Sequence, residues 1–85
     1  MMGHLSINIF RLIGESMKFC ERLSELRKER GFNQQYVAGY MGVTQVSISS
    51  WEVGFKEPNF QALIDLANLF DVTSDYLLGI SDKRK

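Results

Sequence analysis

The segment that most constrains the fold runs from Asn33 to Glu52, "NQQYVAGYMGVTQVSISSWE". Asn33 and Thr44 are good N-cap residues, so each is expected to begin a helix. Gly42 fits the left-handed position that ends a helix. The pattern therefore predicts two short helices joined by a tight turn. Two such helices can pack their apolar residues against each other at a steep angle if a small residue lies where they cross. Ala38 is expected to be that residue.

The second of these helices has an inner and an outer face. Ile48 and Trp51 are expected to point inward, and Val43 to close the turn against the core. At 100° per residue, the residues left on or near the outer face are Gln45, Val46, Ser49, Ser50 and Val53. The turn from Thr44 to Ser47 projects furthest. In a helix-turn-helix motif this end of the second helix meets base edges in the major groove of DNA.

The chain changes character near Met17. Residues 1–16, "MMGHLSINIFRLIGES", place apolar side chains alternately from position 5 to position 9, which is a strand pattern. Apolar residues at 10, 12 and 13 break the alternation, so a short helix stays open as an alternative. Gly14 to Ser16 resembles a linker. We expect an N-terminal extension in front of a domain at residues 17–80.

Helical periodicity runs through the rest of the chain. A first helix places Phe19, Leu23 and Leu26 on one face and ends at Gly31. Asn59 caps a fourth helix, and Thr73 caps a last one that Gly79 ends. Residues sharing the inner face of the fourth helix are Phe60, Leu63, Ala67 and Phe70, with Leu66 nearby. The sequence predicts five helices, an all-α fold and a frayed polar tail at residues 81–85.

Composition excludes several classes of function. The single cysteine, Cys20, cannot close an intrachain disulfide, and His4 is the only histidine, so no metal site is expected. No nucleophile with a histidine, acid–base pair in a cleft or glycine-rich phosphate loop is evident, which argues against an enzyme or a bound cofactor. No apolar run approaches the ~20 residues of a membrane span. We expect a cytoplasmic protein that needs no cofactor.

From residue 23 to residue 79, "LSELRKERGFNQQYVAGYMGVTQVSISSWEVGFKEPNFQALIDLANLFDVTSDYLLG" resembles the phage-repressor and Cro-like helix-turn-helix family, also called the xenobiotic-response-element type. The resemblance extends from Met17 to Gly79. Features that support it are Gln34, Ala38, "GVT", Ile48, "WE", Gly54, Pro58, "LA" at 66–67 and "DYLLG". It implies a compact five-helix, lambda-repressor-like DNA-binding domain. Many relatives would begin near Met17, so residues 1–16 are either particular to this protein or mark an alternative start.

The resemblance implies which residues contact DNA. Gln45 matches the first contact residue of the second motif helix, and its amide can pair with adenine N6 and N7. Val46 could pack on a thymine methyl group, and Lys56 is the expected cationic phosphate contact. The complete expected set is Asn33, Gln34, Thr44, Gln45, Val46, Ser47, Ser49, Ser50 and Lys56. The family also often pairs the positions of Arg27 and Glu52, which we expect to form a partly buried salt bridge.

Charge is balanced overall, at ten basic and ten acidic residues. From Met17 to Lys56 there are six basic residues against four acidic ones, a net charge of +2 on the half expected to face DNA. Gln45 to Val53 contains no Lys or Arg. Backbone amides, hydroxyls and helix N-termini would therefore supply much of the phosphate binding, and we expect weak non-specific affinity with a shallow salt dependence.

One recognition helix covers few base pairs, so a homodimer bound to two half-sites is expected. Two apolar segments are candidates for its interface: Leu5 to Ile13 and Tyr76 to Ile80. Residues 1–16 could instead fold back on their own domain. The leading hypothesis is a sequence-specific regulator that binds double-stranded DNA. The alternative is an antitoxin or anti-repressor whose main partner is a protein, a toxin or a repressor.

Overall fold

The computed structural model describes residues 18–85. Five helices follow in chain order: α1 (Phe19–Glu29), α2 (Gln34–Met41), α3 (Gln45–Glu52), α4 (Phe60–Phe70) and α5 (Ser74–Leu78). No strand occurs among the described residues, and the expected all-α class is confirmed for them. The expected N-terminal extension, residues 1–16, lies outside this part of the chain.

Side-chain caps fix where four of the helices begin. Each predicted cap accepts a hydrogen bond from the backbone N–H three residues later, at 2.7 Å for Asn33, 3.2 Å for Thr44, 2.8 Å for Asn59 and 3.0 Å for Thr73. Such a cap typically stabilises a helix by ~1 kcal/mol. Gly42 ends α2 in the left-handed region at φ 71°, as expected. Local sequence therefore sets the boundaries of the two motif helices.

The core lies beneath α2 and α3 and is closed by α1, α4 and α5. Its fully buried side chains are Leu23, Leu26, Val37, Ile48, Leu66, Phe70 and Leu77. Ala38, only 4% exposed, lies where α2 and α3 pack, and Val43 packs partly buried against the core. Ile48 and Trp51 hold the inner face of α3 in this core. The opposite face of α3 is left free.

Phe60 departs from the predicted core face. Its side chain is 86% exposed, whereas Ala67 and Phe70 on the same helix are buried. Phe60 is the first residue of α4, and helical side chains lean toward the N-terminus of their helix. Its ring therefore projects past the end of the core, which periodicity alone does not show.

The predicted frayed tail is wrong, because residues 81–85 lie against the domain. The Thr73 N–H donates to the Arg84 carbonyl at 2.7 Å. The Arg84 guanidinium donates to both carboxylate oxygens of Glu29, at 2.8 and 3.1 Å. Asp82 pairs with Arg22 at 2.7 Å. The contacts of Arg84 with Glu29 and of Asp82 with Arg22 span 55 and 60 positions of the chain, so local composition could not reveal them.

Candidate nucleic-acid interface

Helix α3 is held by one face and presents the other. Ile48 is fully buried and Trp51 is 7% exposed, whereas Val46 and Val53 are each 73% exposed. The helix ends at Val53, after which Gly54 adopts φ 81°. The N-terminal turn of α3 follows directly on the Gly42 turn. A helix whose outer face carries exposed polar and apolar side chains can enter a major groove.

The predicted contact residues come from the start of α2, from α3 and from the loop after it. Asn33, Thr44, Gln45, Val46 and Lys56 are exposed. The half-buried members of the set are Gln34, Ser47, Ser49 and Ser50. The loop turns back on α3, since the Lys56 N–H donates to the Ser50 carbonyl at 3.3 Å. Lys56 therefore stays near the end of α3.

A chain of hydrogen bonds joins the two motif helices. Gln45 Nε2 donates to Gln34 Oε1 at 3.1 Å, and Gln34 Nε2 donates to Glu52 Oε1 at 3.1 Å. An ionised carboxylate only accepts, so Glu52 orients the Gln34 amide with its nitrogen inward. Gln34 Oε1 then faces Gln45 and accepts from it. Gln45 keeps its own Oε1 and one N–H for another partner, a pair that matches the N6 donor and N7 acceptor of adenine.

Arg27 and Glu52 form the ion pair that locks α1 to α3. Arg27 Nε lies 2.5 Å from Glu52 Oε2, and Nη2 lies 3.0 Å from Oε1. Arg27 Nη1 also donates to the Phe32 carbonyl at 2.8 Å. The hydrogen bond that Arg27 donates to Glu52 raises the pKa of Arg27, against the opposing effect of burial. All of these donors point into the protein, so Arg27 stiffens the support of α3 and does not face solvent phosphate.

The N-termini of α2 and α3 expose backbone donors beside this network. The side chains of Asn33 and Thr44 are occupied as caps, and Thr44 Oγ1 also lies 3.2 Å from Ser47 Oγ. The remaining N–H groups of each first helical turn have no partner within the helix. Such groups, with the positive end of the helix dipole, favour an anion such as a phosphate.

The positive charge expected on the half of the domain near α3 is smaller at the surface than the sequence implies. Arg22 is 4% exposed and donates to the carbonyls of Tyr76, at 2.9 Å, and Ser81, at 2.8 Å. Its guanidinium also lies 3.9 Å from the Tyr76 ring centroid. Arg30 donates to the Phe70 carbonyl at 2.8 Å. Arg22, Arg27 and Arg30 therefore bind the protein itself, and the net charge of +2 does not describe the surface near α3.

One sequence signal could have identified Arg22 as buried. It follows Phe19 by three positions and precedes Leu26 by four, so it belongs to the apolar stripe of α1. An arginine in such a stripe needs internal acceptors, because burying an unpaired charge is costly. The carbonyls at the end of α5 supply them.

The apolar segment at Tyr76 to Ile80 is only partly available as an interface. Tyr76 and Leu77 are 7% and 0% exposed and belong to the core, which corrects the expectation for them. Leu78 and Ile80 remain, at 44% and 72% exposed. The other candidate, Leu5 to Ile13, lies outside the described residues.

Within residues 18–85, no group of three or more His, Cys, Asp or Glu side chains could hold a metal ion. Over the same residues, no helix combines the length and apolar character that crossing a membrane requires.

Comparisons with known proteins agree on one family. The model of the family described as Helix-turn-helix matches residues 23–77. The HTH-type transcriptional regulator AnsR of Bacillus subtilis is 42% identical over 59 residues, which cover 69% of this chain and 51% of that protein. Repressor protein C2 of Salmonella phage P22 is 36% identical over 58 residues, covering 68% of this chain and 27% of that one. This chain thus spans about half the length of the Bacillus regulator.

Solved structures give the same result. The crystal structure of the P22 c2 repressor in complex with a synthetic operator is similar with a TM-score of 0.72 and 32% identity. The match covers 76% of this chain and 98% of that one. A transcriptional regulator from Listeria innocua is similar with a TM-score of 0.71, over 73% of this chain and 58% of that one.

Proposed function

Because this chain belongs to the helix-turn-helix family, we propose that it is a sequence-specific transcriptional regulator that binds double-stranded DNA through α3. The observation that carries the proposal is the hydrogen-bond chain from Glu52 through Gln34 to Gln45, at the exposed end of α3. It presents an oriented amide where this motif meets base edges. The similarity to a repressor solved with its operator supports the same surface.

Base recognition would come from the first turn of α3. Gln45 pairs with adenine, and the 73% exposed Val46 packs on a thymine methyl group. Thr44 and Ser47 border the same turn. These contacts favour A·T pairs, and they need no Lys or Arg.

Phosphate binding would surround the base contacts. The N-terminus of α2, with Asn33 and Gln34, meets one phosphate, and Lys56 meets another beyond the end of α3. Ser49 and Ser50 are short and half-buried, which suits phosphate or water-mediated contacts. These groups set the position of α3 in the groove without selecting sequence.

We propose that the protein binds as a homodimer. An eight-residue helix such as α3 is only ~12 Å long, so one copy contacts few base pairs. Two copies would occupy half-sites about one DNA turn, ~34 Å, apart. Val53 and Phe55, 73% and 77% exposed, provide apolar surface at the end of α3.

The same exposed apolar side chains favour a second candidate function, in which the main partner is a protein. An antitoxin or anti-repressor would use such a surface, and α3 would need no positive charge. Sedimentation and pull-down with the chromosomal neighbour's product would separate this function from DNA binding.

Selection of bound duplexes from a random pool tests the proposed function. Gln45→Ala should lose its preference at one base pair per half-site, a loss of ~1–3 kcal/mol or about ten- to a hundredfold in affinity. Gln61→Ala is the matched control, since Gln61 is exposed on α4 and hydrogen-bonds only to Asp65. It should select the same sequences as the natural chain. An unchanged preference in Gln45→Ala would reject the assignment.

Salt dependence tests the proposed phosphate contacts. With Arg22 and Arg27 bound internally, fewer cations are left to displace counterions, so the slope of log affinity against log salt should be shallow for the site size. Lys56→Ala should reduce that slope by about one unit per copy. A steep slope with tight binding to random DNA would contradict this proposal.

A further inference from the structure

A groove with both polar and apolar lining runs between the start of α1 and the end of α5. Its volume is about 570 Å³, and its apolar lining comes from Phe19, Trp51, Leu78 and Ile80. The remaining lining residues are Lys18, Cys20, Gly54, Lys56, Glu57 and Gly79. We call it the α1–α5 groove. Two of its apolar walls, Leu78 and Ile80, are 44% and 72% exposed, so much of its surface is uncovered in the described residues.

The groove continues into a smaller one at the start of α4. That part has a volume of about 190 Å³ and is lined by Phe19, Glu57, Pro58, Phe60, Leu63 and Leu78. Phe19, Glu57 and Leu78 line both parts. The exposure of Phe60, unexpected for its position on α4, belongs to this same surface. One continuous apolar channel thus passes from Ile80 to Phe60.

We propose that residues 5–13 of the same chain bind in the α1–α5 groove. This segment, "LSINIFRLI", contains six apolar residues and one charge, Arg11. The described chain begins at Lys18, which itself lines the groove. The segment therefore starts beside the surface that it would cover. This proposal concerns the packing of the domain and does not depend on DNA binding.

Chain length favours the chain's own segment over that of a second copy. Residues 14–17 separate Ile13 from Lys18, a connection that spans at most ~17 Å. A short connection raises the effective concentration of the segment at the groove to about the millimolar range. A segment from another copy meets the groove only at the concentration of the protein, which is far lower in dilute solution.

Charge is also complementary. Glu57 is the acidic residue that lines both parts of the channel, and it takes part in none of the salt bridges among the described residues. Arg11 is the one charged residue of the segment. Lys18 and Lys56 line only the larger part of the channel, whereas Glu57 is the charged lining residue of the smaller part, so Arg11 would pair with Glu57 there.

Two single-copy residues report directly on the groove. Cys20 is the only cysteine of the chain, is half-buried and lines the groove. Trp51 is the only tryptophan and lines it as well. A bound segment would shield the Cys20 thiol from a reagent such as 5,5′-dithiobis(2-nitrobenzoate), and would keep water from the exposed edge of Trp51.

The test compares Ile9→Asp with Asn8→Asp in the full chain. Ile9 belongs to the apolar set whether the segment is a strand or a helix, so an aspartate there opposes binding; Asn8→Asp adds the same charge at a polar position. A segment bound nine-tenths of the time slows labelling of Cys20 on the order of tenfold. We expect Ile9→Asp to label about tenfold faster than the natural chain, and to shift Trp51 emission to the red only slightly because Trp51 is 7% exposed beside the groove. Asn8→Asp should match the natural chain.

Equal labelling rates in the natural chain and both variants would overturn the proposal. A labelling rate that falls as protein concentration rises would also overturn it, because a second copy would then cover the groove. Circular dichroism melting of each variant distinguishes release of the segment from unfolding of the domain. Faster labelling of Ile9→Asp with an unchanged helical signal supports binding of the segment. Faster labelling that occurs only when the helices melt refutes it.

Discussion

Replacing Arg27 with methionine removes one charge from the ion pair between α1 and α3. The Arg27 and Glu52 side chains are 12% and 6% exposed, whereas each other salt bridge of the described residues has a partner that is at least 44% exposed. Methionine keeps much of the aliphatic stem, so little packing is lost. The Glu52 carboxylate is left buried, with the hydrogen bond from Gln34 as its remaining side-chain partner.

The expected cost follows from that burial. Removing one partner of a buried ion pair typically lowers the free energy of unfolding by ~3–5 kcal/mol, because an uncompensated charge stays in the interior. Gln34 Nε2 still donates to Glu52 at 3.1 Å, so the lower end applies, about 3 kcal/mol. For a domain of this size each kcal/mol shifts the Tm by ~4–8 °C. Arg27→Met should therefore melt roughly 12–24 °C below the natural chain.

Urea unfolding followed by Trp51 emission measures this loss, since Trp51 is 7% exposed in the folded state. The double variant Arg27→Met/Glu52→Met should be more stable than Arg27→Met alone, because an apolar pair of similar volume leaves no buried charge. Glu29→Gln is the control, since it breaks the Arg84–Glu29 pair, whose partners are 44% and 47% exposed. An exposed pair contributes little, so its midpoint should hardly move.

If the urea midpoint of Arg27→Met were as close to that of the natural chain as the midpoint of Glu29→Gln is, the buried ion pair would not have the expected effect on stability. A double variant less stable than Arg27→Met would contradict the same expectation. Either result would mean that the pair does not hold α3 in place.

Two further predictions concern α2 and the C-terminal segment. Gly39→Ala should raise the free energy of unfolding by up to ~1 kcal/mol in urea titration, because a Cβ at this position inside α2 meets nothing within 4 Å. Gly42→Ala should lower the free energy of unfolding, because residue 42 has φ 71°. If Gly42→Ala were instead the more stable variant, the assigned end of α2 would be contradicted. The hydrogen bond from Arg84 lowers the pKa of Glu29 below its ordinary 4.5. The stabilisation of the fold by the Arg84–Glu29 pair is therefore complete above pH 4.5 and disappears as the pH falls through the lower pKa of Glu29 in the folded protein. Because the pair is exposed, the Tm of Glu29→Gln should lie only slightly below that of the natural chain at neutral pH, and this small difference should disappear below the folded pKa. A difference that stays constant down to the lowest pH would rule out this contribution.

The caps and the buried stripe of α3 were predictable because their causes are local. Thr44 accepts a hydrogen bond from the backbone N–H three residues later. The turn after α2 requires a positive φ at residue 42, which glycine adopts without strain. Ile48 and Trp51 follow from helical periodicity. The Arg27–Glu52 contact was expected from the resemblance to a family, since nothing in their spacing brings them together.

Two of the differences concern contacts between distant parts of the chain, whereas Phe60 is exposed because it is the first residue of α4. Arg22 was counted as surface charge, yet its acceptors lie 54 and 59 positions away, at Tyr76 and Ser81. The tail was expected to fray, yet Arg84 reaches Glu29. Charged residues are solvated unless tertiary structure supplies partners, and a single sequence does not state which partners will be near.

The proposed contact surface for DNA is the outer face of α3. The ¹⁵N–¹H correlation spectrum of the labelled chain, titrated with a duplex recovered by selection, tests it most directly. The largest shifts are expected on the backbone amides of Thr44 to Ser47 and on the side-chain amides of Gln34 and Gln45. Shifts concentrated instead at Gln61, Leu78 and Ile80, with α3 unchanged, would contradict it.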